Sequence, residues 1–407
     1  MRPIDETWLS SPMRHVESLS GTASPIVVPD ADRFPCHTSD EELPLDPRHI
    51  LVSVLLPIGD TLFATPALAA LRRRFPLARI TALVSRSNAG ILEDNPALDD
   101  LAVVDEPGPE HKVLRFARGL SELRAARPDL IINFSAVGAL VLRMAGLYHK
   151  PLHVEMPLLW WLLGTSSEQY RSRHSIDHYL SALEPVLDGP LPEAERQPRL
   201  YLTARDRTGA RRLLRMWGLS PADLLVVMHV GGEGFNGRKR WAPQRFAAVG
   251  NALVERFNAH VLLIGGKADI PLCEQVAALM PRNAHVVAGQ SSLKHTAALI
   301  ELSALLIGND SAPLHIAAAV GTPSVGIYGP SNWEQFRPIG KRSYRNRIVH
   351  STLPCSPCFH FIGSEAPWVP NTCYSFACLK SITTDQVLEA AVGLLQDPRD
   401  PRERDGG

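Results

Sequence analysis

Short, almost wholly apolar runs of β-type residues recur along this chain, and nearly every one is followed by a stretch with helical periodicity. "HILVSVLLP" (49–57), "ARITALV" (78–84), "LAVVD" (101–105) and "DLIINF" (129–134) form one series. "LLVVMHVGG" (224–232), "HVLLIGG" (260–266), "HVVAG" (285–289), "ALLIGND" (304–310) and "PSVGIYG" (323–329) form a second. A strand that is apolar throughout is covered on both faces, which is the condition of a parallel strand flanked by crossover helices. The alternation therefore predicts an α/β protein built from doubly wound, Rossmann-like parallel sheets. Two series in 407 residues predict two such domains facing a cleft, since a chain of this length exceeds one ordinary core.

The remaining boundaries follow from changes in pattern. Residues 1–48 carry Pro, Asp, Ser and Glu with little periodicity and read as a poorly ordered extension. The first domain is expected over 49–220, with "SPAD" (220–223) as its end, and the second over 221–350. A cysteine-containing loop follows over 351–383, then a closing helix and tail over 384–407, capped by Thr383 or Thr384. Further helices are expected over 61–76, 112–128, 205–219, 243–258, 271–280, 292–302 and 313–320. The formal net charge of +0 gives no support to nucleic-acid binding. The densest apolar patch, "PLLWWLLG" (157–164), is too short to cross a bilayer, and the N-terminus has no apolar signal core. The expectation is a cytoplasmic protein, with peripheral contact at the inner face of the inner membrane left open.

Ligands of open α/β sheets sit beyond the carboxyl ends of the strands, so the segments just after strands carry the chemistry. "GNDSAPLHIAAAVGTP" (308–323) places Asn309, Asp310, Ser311, Ala312 and His315 at the mouth of an Ala-rich helix. Free N–H groups and the dipole at such a mouth attract anions. Ser311 and His315 share a face, and the imidazole leans toward the same mouth. Asp310 or Ser311 can equally serve as a plain cap. "IGDTLFATPAL" (58–68) is the matching mouth in the first half, where Gly59 permits a tight turn or close approach. Asp60, between strand end and helix start, reads by itself as an N-cap and in context as a general base. "HVGGEGFNGRKRW" (229–241) joins His229, Gly231 and Gly232 to Arg238, Lys239 and Arg240. Its amides and cations suit a diphosphate, and Trp241 should anchor it. No G-x-G-x-x-G follows the first strand, which disfavours a dehydrogenase.

Cys355, Cys358, Cys373 and Cys378 read C-x₂-C-x₁₄-C-x₄-C. Two pairs separated by a loop have the pattern of a tetrahedral thiolate site for zinc or iron, and buried free thiols are the plain alternative.

"GDTLFATPALAALRRRFP", "KRW", "LLIGG", "GNDSAPLHIAAAVGTPSVGIYGPSN" and the final cysteine pattern, in this order, resemble glycosyltransferase family 9, the heptosyltransferases. The resemblance covers about residues 50–395. It implies a GT-B architecture, with the acceptor on the first domain and the nucleotide sugar on the second. The implied donor is an ADP-activated heptose and the implied acceptor the core of lipopolysaccharide. Asp60 falls at the family's catalytic base and Lys239 at the lysine that neutralises the donor diphosphate. Asp310, Ser311 and His315 fall in the segment that contacts donor phosphate and sugar. The resemblance also implies inversion at the anomeric carbon with no cofactor required. The single D-x-D, Asp30–Asp32, lies in the extension, where it could not clamp a metal diphosphate behind a strand. A subgroup that modifies autotransporter proteins uses similar cysteines for iron, so a protein acceptor is one alternative. A non-catalytic nucleotide-sugar binding protein on the same fold is another.

Overall fold

The computed structural model describes residues 46–397 apart from 106–118, 120, 122, 126, 148–152, 156–171, 185, 188, 190, 233–236, 359–372 and 374. Most of the N-terminal extension, most of the helix expected over 112–128, and "LLWW" (158–161) lie outside the described residues.

The first half runs β1 (His49–Ser53), α1 (Ile58–Phe63), α2 (Thr65–Arg74), β2 (Arg79–Ser85), α3 (Ala89–Leu92), β3 (Asp100–Val104), β4 (Leu130–Asn133), α4 (Ala136–Met144), β5 (His153–Glu155) and α5 (Ser175–Ser181). Next come α6 (Ala204–Met216), β6 (Leu225–His229), α7 (Pro243–Phe257), β7 (His260–Ile264), α8 (Ile270–Ala278), β8 (Ala284–Val286), α9 (Leu293–Leu302), β9 (Leu305–Asn309), α10 (Ala312–Val320) and β10 (Ser324–Tyr328). The chain closes with α11 (Trp333–Phe336), β11 (Asn346–His350), α12 (Ala377–Ser381) and α13 (Thr384–Leu395). The short β5 and β11 and the helix α4 had no distinct signal in the sequence.

The described strands form two sheets, ordered β3-β2-β1-β4-β5 and β11-β10-β9-β6-β7-β8, and every pairing is parallel. Strand order reverses between β1 and β4 in the first sheet, and between β6 and β9 in the second. Those are the switch points at which flanking crossovers run in opposite directions and leave a crevice. The mouths at Asp60, at His229–Gly232 and at Asn309–Ser311 follow β1, β6 and β9, so each motif stands at a crevice.

One apolar cluster joins β1 and β2 of the first sheet, through α1, to α9 and α10 of the second. The halves also meet at Lys294 of α9, whose ammonium donates to the Glu93 carbonyl at 3.0 Å and to Asp94 at 2.8 Å, just past α3. Helix α6 packs on α9, with Arg207 gripping Glu301 through two bonds of 2.7 and 2.8 Å. Ser220 and Asp223 close a turn at the expected boundary, Ser220 N–H donating to the Asp223 carboxylate at 2.7 Å. The closing helix α13 is capped by Thr383 with Gln386 in a reciprocal box. The GT-B resemblance implies a closing helix that crosses back to the first domain. This one packs on α7, β9, β10 and β11 of the second.

Candidate active site

Helix α1 begins earlier than its periodicity implied, at Ile58, with Pro57 at the N-cap. Thr61 anchors this start: its N–H donates to the Pro57 carbonyl at 2.8 Å and its hydroxyl to the same carbonyl at 3.0 Å. Asp60 is therefore no cap. It is the third residue of the helix, where the dipole favours a negative charge. Proline at position 66 cannot donate into a continuing helix, and the chain breaks into α1 and α2 at Ala64.

Burial pushes the Asp60 carboxyl up to about 6, against the hydrogen bond from Tyr179 and the attraction of Lys239. The Tyr179 hydroxyl donates to Asp60 Oδ1 at 2.9 Å. Asp310 of the second half acts on Asp60 in the opposite sense to Lys239. The carboxylate from one lobe and the Lys239–Asp310 pair from the other thus lie within electrostatic reach.

Gly59 has a different role from the turn expected of it. A Cβ there would stand 3.1 Å from His315 Cδ2 and 3.8 Å from the Ala312 Cα. The missing side chain lets α1 meet the mouth of α10. Phe63, one turn on, has its ring centroid 4.4 Å from that of His315 and 5.1 Å from that of His174. His315 is buried, and burial lowers its pKa to about 4 despite Asp310, so it is neutral at pH 7.

On the opposite wall, Lys239 Nζ donates to Asp310 Oδ2 at 2.7 Å. Burial works to raise the Asp310 carboxyl, but Lys239 outweighs it and holds that carboxyl below its ordinary value. Ser311 occupies the N-cap position of α10 without capping it. Its hydroxyl instead donates to the Asn309 carbonyl at 2.9 Å and lies 2.9 Å from His229 Nδ1. The first N–H groups of α10 consequently receive no side-chain cap. Burial also lowers His229, to about 4.

The Asn309 side chain is engaged inside the wall. Its amide N–H₂ donates to the carbonyls of Val230 and Gly231 at 3.1 and 3.2 Å, and its Oδ1 accepts from the Trp241 N–H at 2.9 Å. Trp241 is buried, and its indole N–H donates to the Ile382 carbonyl at 3.1 Å, so it anchors the basic loop as expected. Arg240 Nε donates to the Gly232 carbonyl at 3.0 Å. The Nη1 of Arg238 is buried with no hydrogen-bond partner among the described residues.

Two residues with structural roles here escaped the sequence motifs. Tyr179 comes from a segment 119 positions away and has no local signature. Asp269 is buried and accepts from the Gly232 N–H at 3.3 Å and the Gly266 N–H at 2.9 Å, tying together the loops after β6 and β7. Its spacing of three from Gly266 is the one clue the sequence held. A Cβ at Gly231 would fall 1.9 Å from Asp269 Oδ1. Gly231→Ala should therefore destabilise the protein by about 1–3 kcal/mol through overpacking. The control is Gly393→Ala, on an exposed helical position with nothing within 4 Å of the added Cβ. Its melting temperature should hold or rise slightly; equal losses in both variants would refute the assignment.

The cysteine segment buttresses this wall. Cys358 N–H donates to the Pro330 carbonyl at 2.8 Å, and the Ser356 hydroxyl to the Gly329 carbonyl at 2.6 Å. Cys355, Cys358 and Cys373 are exposed and Cys378 is buried. Burial raises the Cys358 thiol, and Cys378, Cys373 and Cys355 raise it further. Among the described residues, however, no three His, Cys, Asp or Glu side chains form a group that could hold a metal ion.

Two doubly wound parallel sheets with facing crevices, a carboxylate on one wall and a cation beside a helix mouth on the other, define the GT-B class of glycosyltransferases. Within that class the chain belongs to glycosyltransferase family 9 (heptosyltransferase), which matches residues 119–369, more than half of it. The Escherichia coli protein named lipopolysaccharide heptosyltransferase 3 is 27% identical over 289 residues, covering 69% of this chain and 83% of that protein. The glycosyl transferase family 9 structure from Veillonella parvula DSM 2008 superposes with a TM-score of 0.68 at 25% identity, covering 87% of this chain and 99% of that one. The E. coli ADP-heptose lps heptosyltransferase II shares the fold, with a TM-score of 0.65 at 21% identity over 85% and 98% of the two chains. No helix among the described residues is long and apolar enough to cross a membrane.

Proposed function

We propose that this glycosyltransferase moves a heptose from an ADP-linked donor to a hydroxyl of the lipopolysaccharide core, with inversion and without a metal in the chemical step. The observation that carries the reading is the Asp60 carboxylate of one lobe set against the Lys239–Asp310 pair and uncapped α10 mouth of the other. Asp60 takes the proton of the acceptor hydroxyl. The freed oxygen forms its bond to the anomeric carbon as the bond to the diphosphate oxygen breaks, and ADP leaves with that electron pair. Negative charge then grows on the phosphates. Lys239, Arg240 and the α10 N–H groups neutralise it, which is the work a metal ion does elsewhere.

Inversion fits the carboxylate inventory of the crevice. Among the described residues, Asp310 is bound to Lys239 and Asp269 to loop amides, which leaves Asp60 as the carboxylate placed to act as base. The lipopolysaccharide acceptor is supported by the relatives' activity, and a site of action at the inner face of the inner membrane goes with it. A structural zinc or iron ion at the four cysteines is a further proposal and requires the sulfurs to draw closer together. Elemental analysis of purified protein decides it: about one ion per chain supports it, and none rejects it.

Thermal shift with ADP-, UDP- and GDP-linked sugars tests the donor. A ligand at a hundred times its Kd stabilises by about 2.7 kcal/mol, so the right nucleotide should stand out, and chelator should leave turnover unchanged. A response to UDP or GDP sugars alone would remove the ADP assignment.

A further inference from the structure

We propose that α5 is the positioning element of the base: Tyr179 orients the Asp60 carboxylate, while His174 ties the same helix to the second lobe through the Arg337 carbonyl. The inference rests on the reading of Asp60 as the base and assigns how its geometry is held.

A carboxylate on a six-residue helix next to an open crevice has two oxygens and freedom to rotate. The Tyr179 hydroxyl donates to Oδ1 at 2.9 Å. That leaves Oδ2 to accept the proton of an acceptor hydroxyl. Tyr179 itself is buried, and its ring is braced edge-on by Phe134, with centroids 5.4 Å apart at 69°. The donor is therefore fixed before any substrate arrives.

The N-terminus of α5 is held from the opposite side. His174 sits at its N-cap, and Nδ1 accepts the Ile176 N–H at 3.2 Å. Nδ1 therefore carries no proton, and Nε2 must carry it. Nε2–H donates to the Arg337 carbonyl at 2.8 Å, and Arg337 lies just past α11 in the second half. One neutral tautomer satisfies both bonds, and burial favours the neutral ring. Phe63 of α1 fills the space between His174 and His315. The helix bearing the base is thus held between a first-lobe residue bonded to the second lobe and a second-lobe residue. The relative placement of the lobes reaches Asp60 through α5.

The charged and titratable groups around Asp60 come from several elements. Tyr179, His174 and His178 belong to α5, His315 to α10, and Lys239 and Asp310 to the opposite wall. The Tyr179 hydroxyl donates a hydrogen bond to the carboxylate, and that bond favours the charged form.

The test is kcat and donor KM between about pH 5.5 and 9 for the whole protein and three variants. Tyr179→Phe should move the acid limb of kcat up by about one pH unit. From a limb near 6 that is about a threefold loss at pH 6.5, nearly recovered at pH 8.5, with donor KM unchanged. His174→Ala should lower kcat about tenfold at unchanged donor KM. His174→Gln, whose amide N–H can reach the Arg337 carbonyl, should restore most of it. A Tyr179→Phe limb that stays in place overturns the proposal. So does a His174→Ala defect confined to donor KM. Donor-induced thermal shift confirms that each variant is folded, and if Tyr179→Phe is not, the His174 pair decides alone. An inactive Asp60→Asn beside an unmoved Tyr179→Phe limb defeats only this inference, whereas an active Asp60→Asn defeats the base itself.

Discussion

Asp60→Asn should lower turnover by about 10²- to 10⁴-fold, the contribution of a positioned general base. Donor-induced thermal shift should be nearly unchanged, because the carboxylate stands across the crevice from the cationic wall. Asn keeps an oxygen for the Tyr179 hydroxyl, so the local packing survives. In the native protein kcat should fall as pH drops through about 6, where the carboxylate takes up a proton and can no longer accept one from the substrate. The same substitution should make the unliganded fold more stable at pH 7. The sign follows from linkage. The folded carboxyl has its pKa raised from 3.8 to about 6. Well below 3.8 it is protonated in both folded and unfolded chains and contributes no difference. Above 6 the folded protein must hold a charge that burial disfavours. About two units correspond to at most about 3 kcal/mol, present at neutral pH and mostly gone near pH 4. Denaturation midpoints of the two proteins at pH 7 and pH 4 measure it. A fully active Asp60→Asn enzyme, or one destabilised equally at both pH values, would end the assignment of the base.

Lys239→Met should reduce kcat by on the order of a hundredfold or more, the usual loss when one group that neutralises leaving-group charge is removed. It should also destabilise the protein by about 3 kcal/mol, since the buried Asp310 carboxylate is left without its partner. The double variant Lys239→Met/Asp310→Asn separates the two effects. With the stranded charge removed, the melting temperature should recover while the rate stays low. Recovery of both would reduce Lys239 to a structural counter-ion of Asp310. Loss of both would place Asp310 among the groups that the folded wall cannot spare.

The site was partly legible because both crevices follow buried strands. A strand that is apolar on both faces can only be parallel and sandwiched, and its carboxyl end must open onto a crevice. Reading just past each such strand leads to Asp60, to the glycines after His229 and to Asp310. Tyr179, His174 and Asp269 were not legible in this way. The partners that give them their roles at the site are 119, 163 and 37 positions distant, and the spacing of Asp269 from Gly266 was the one local clue. Asn309 was legible as a polar residue in the right place. Only the structure shows its amide spent on Val230, Gly231 and Trp241.

The order of apolar runs by itself determined the two parallel sheets and the ends at which chemistry is possible, because covering both faces of a strand is a local demand written residue by residue. Which groups meet across the gap was decided by tertiary structure alone. The pairing of Lys239 with Asp310, the support of Asp60 by Tyr179 and the fit of His315 against Gly59 each join segments far apart in the chain. Such contacts depend on how whole elements pack, and the burial that raises the Asp60 carboxyl and lowers His315 exists only after they have packed.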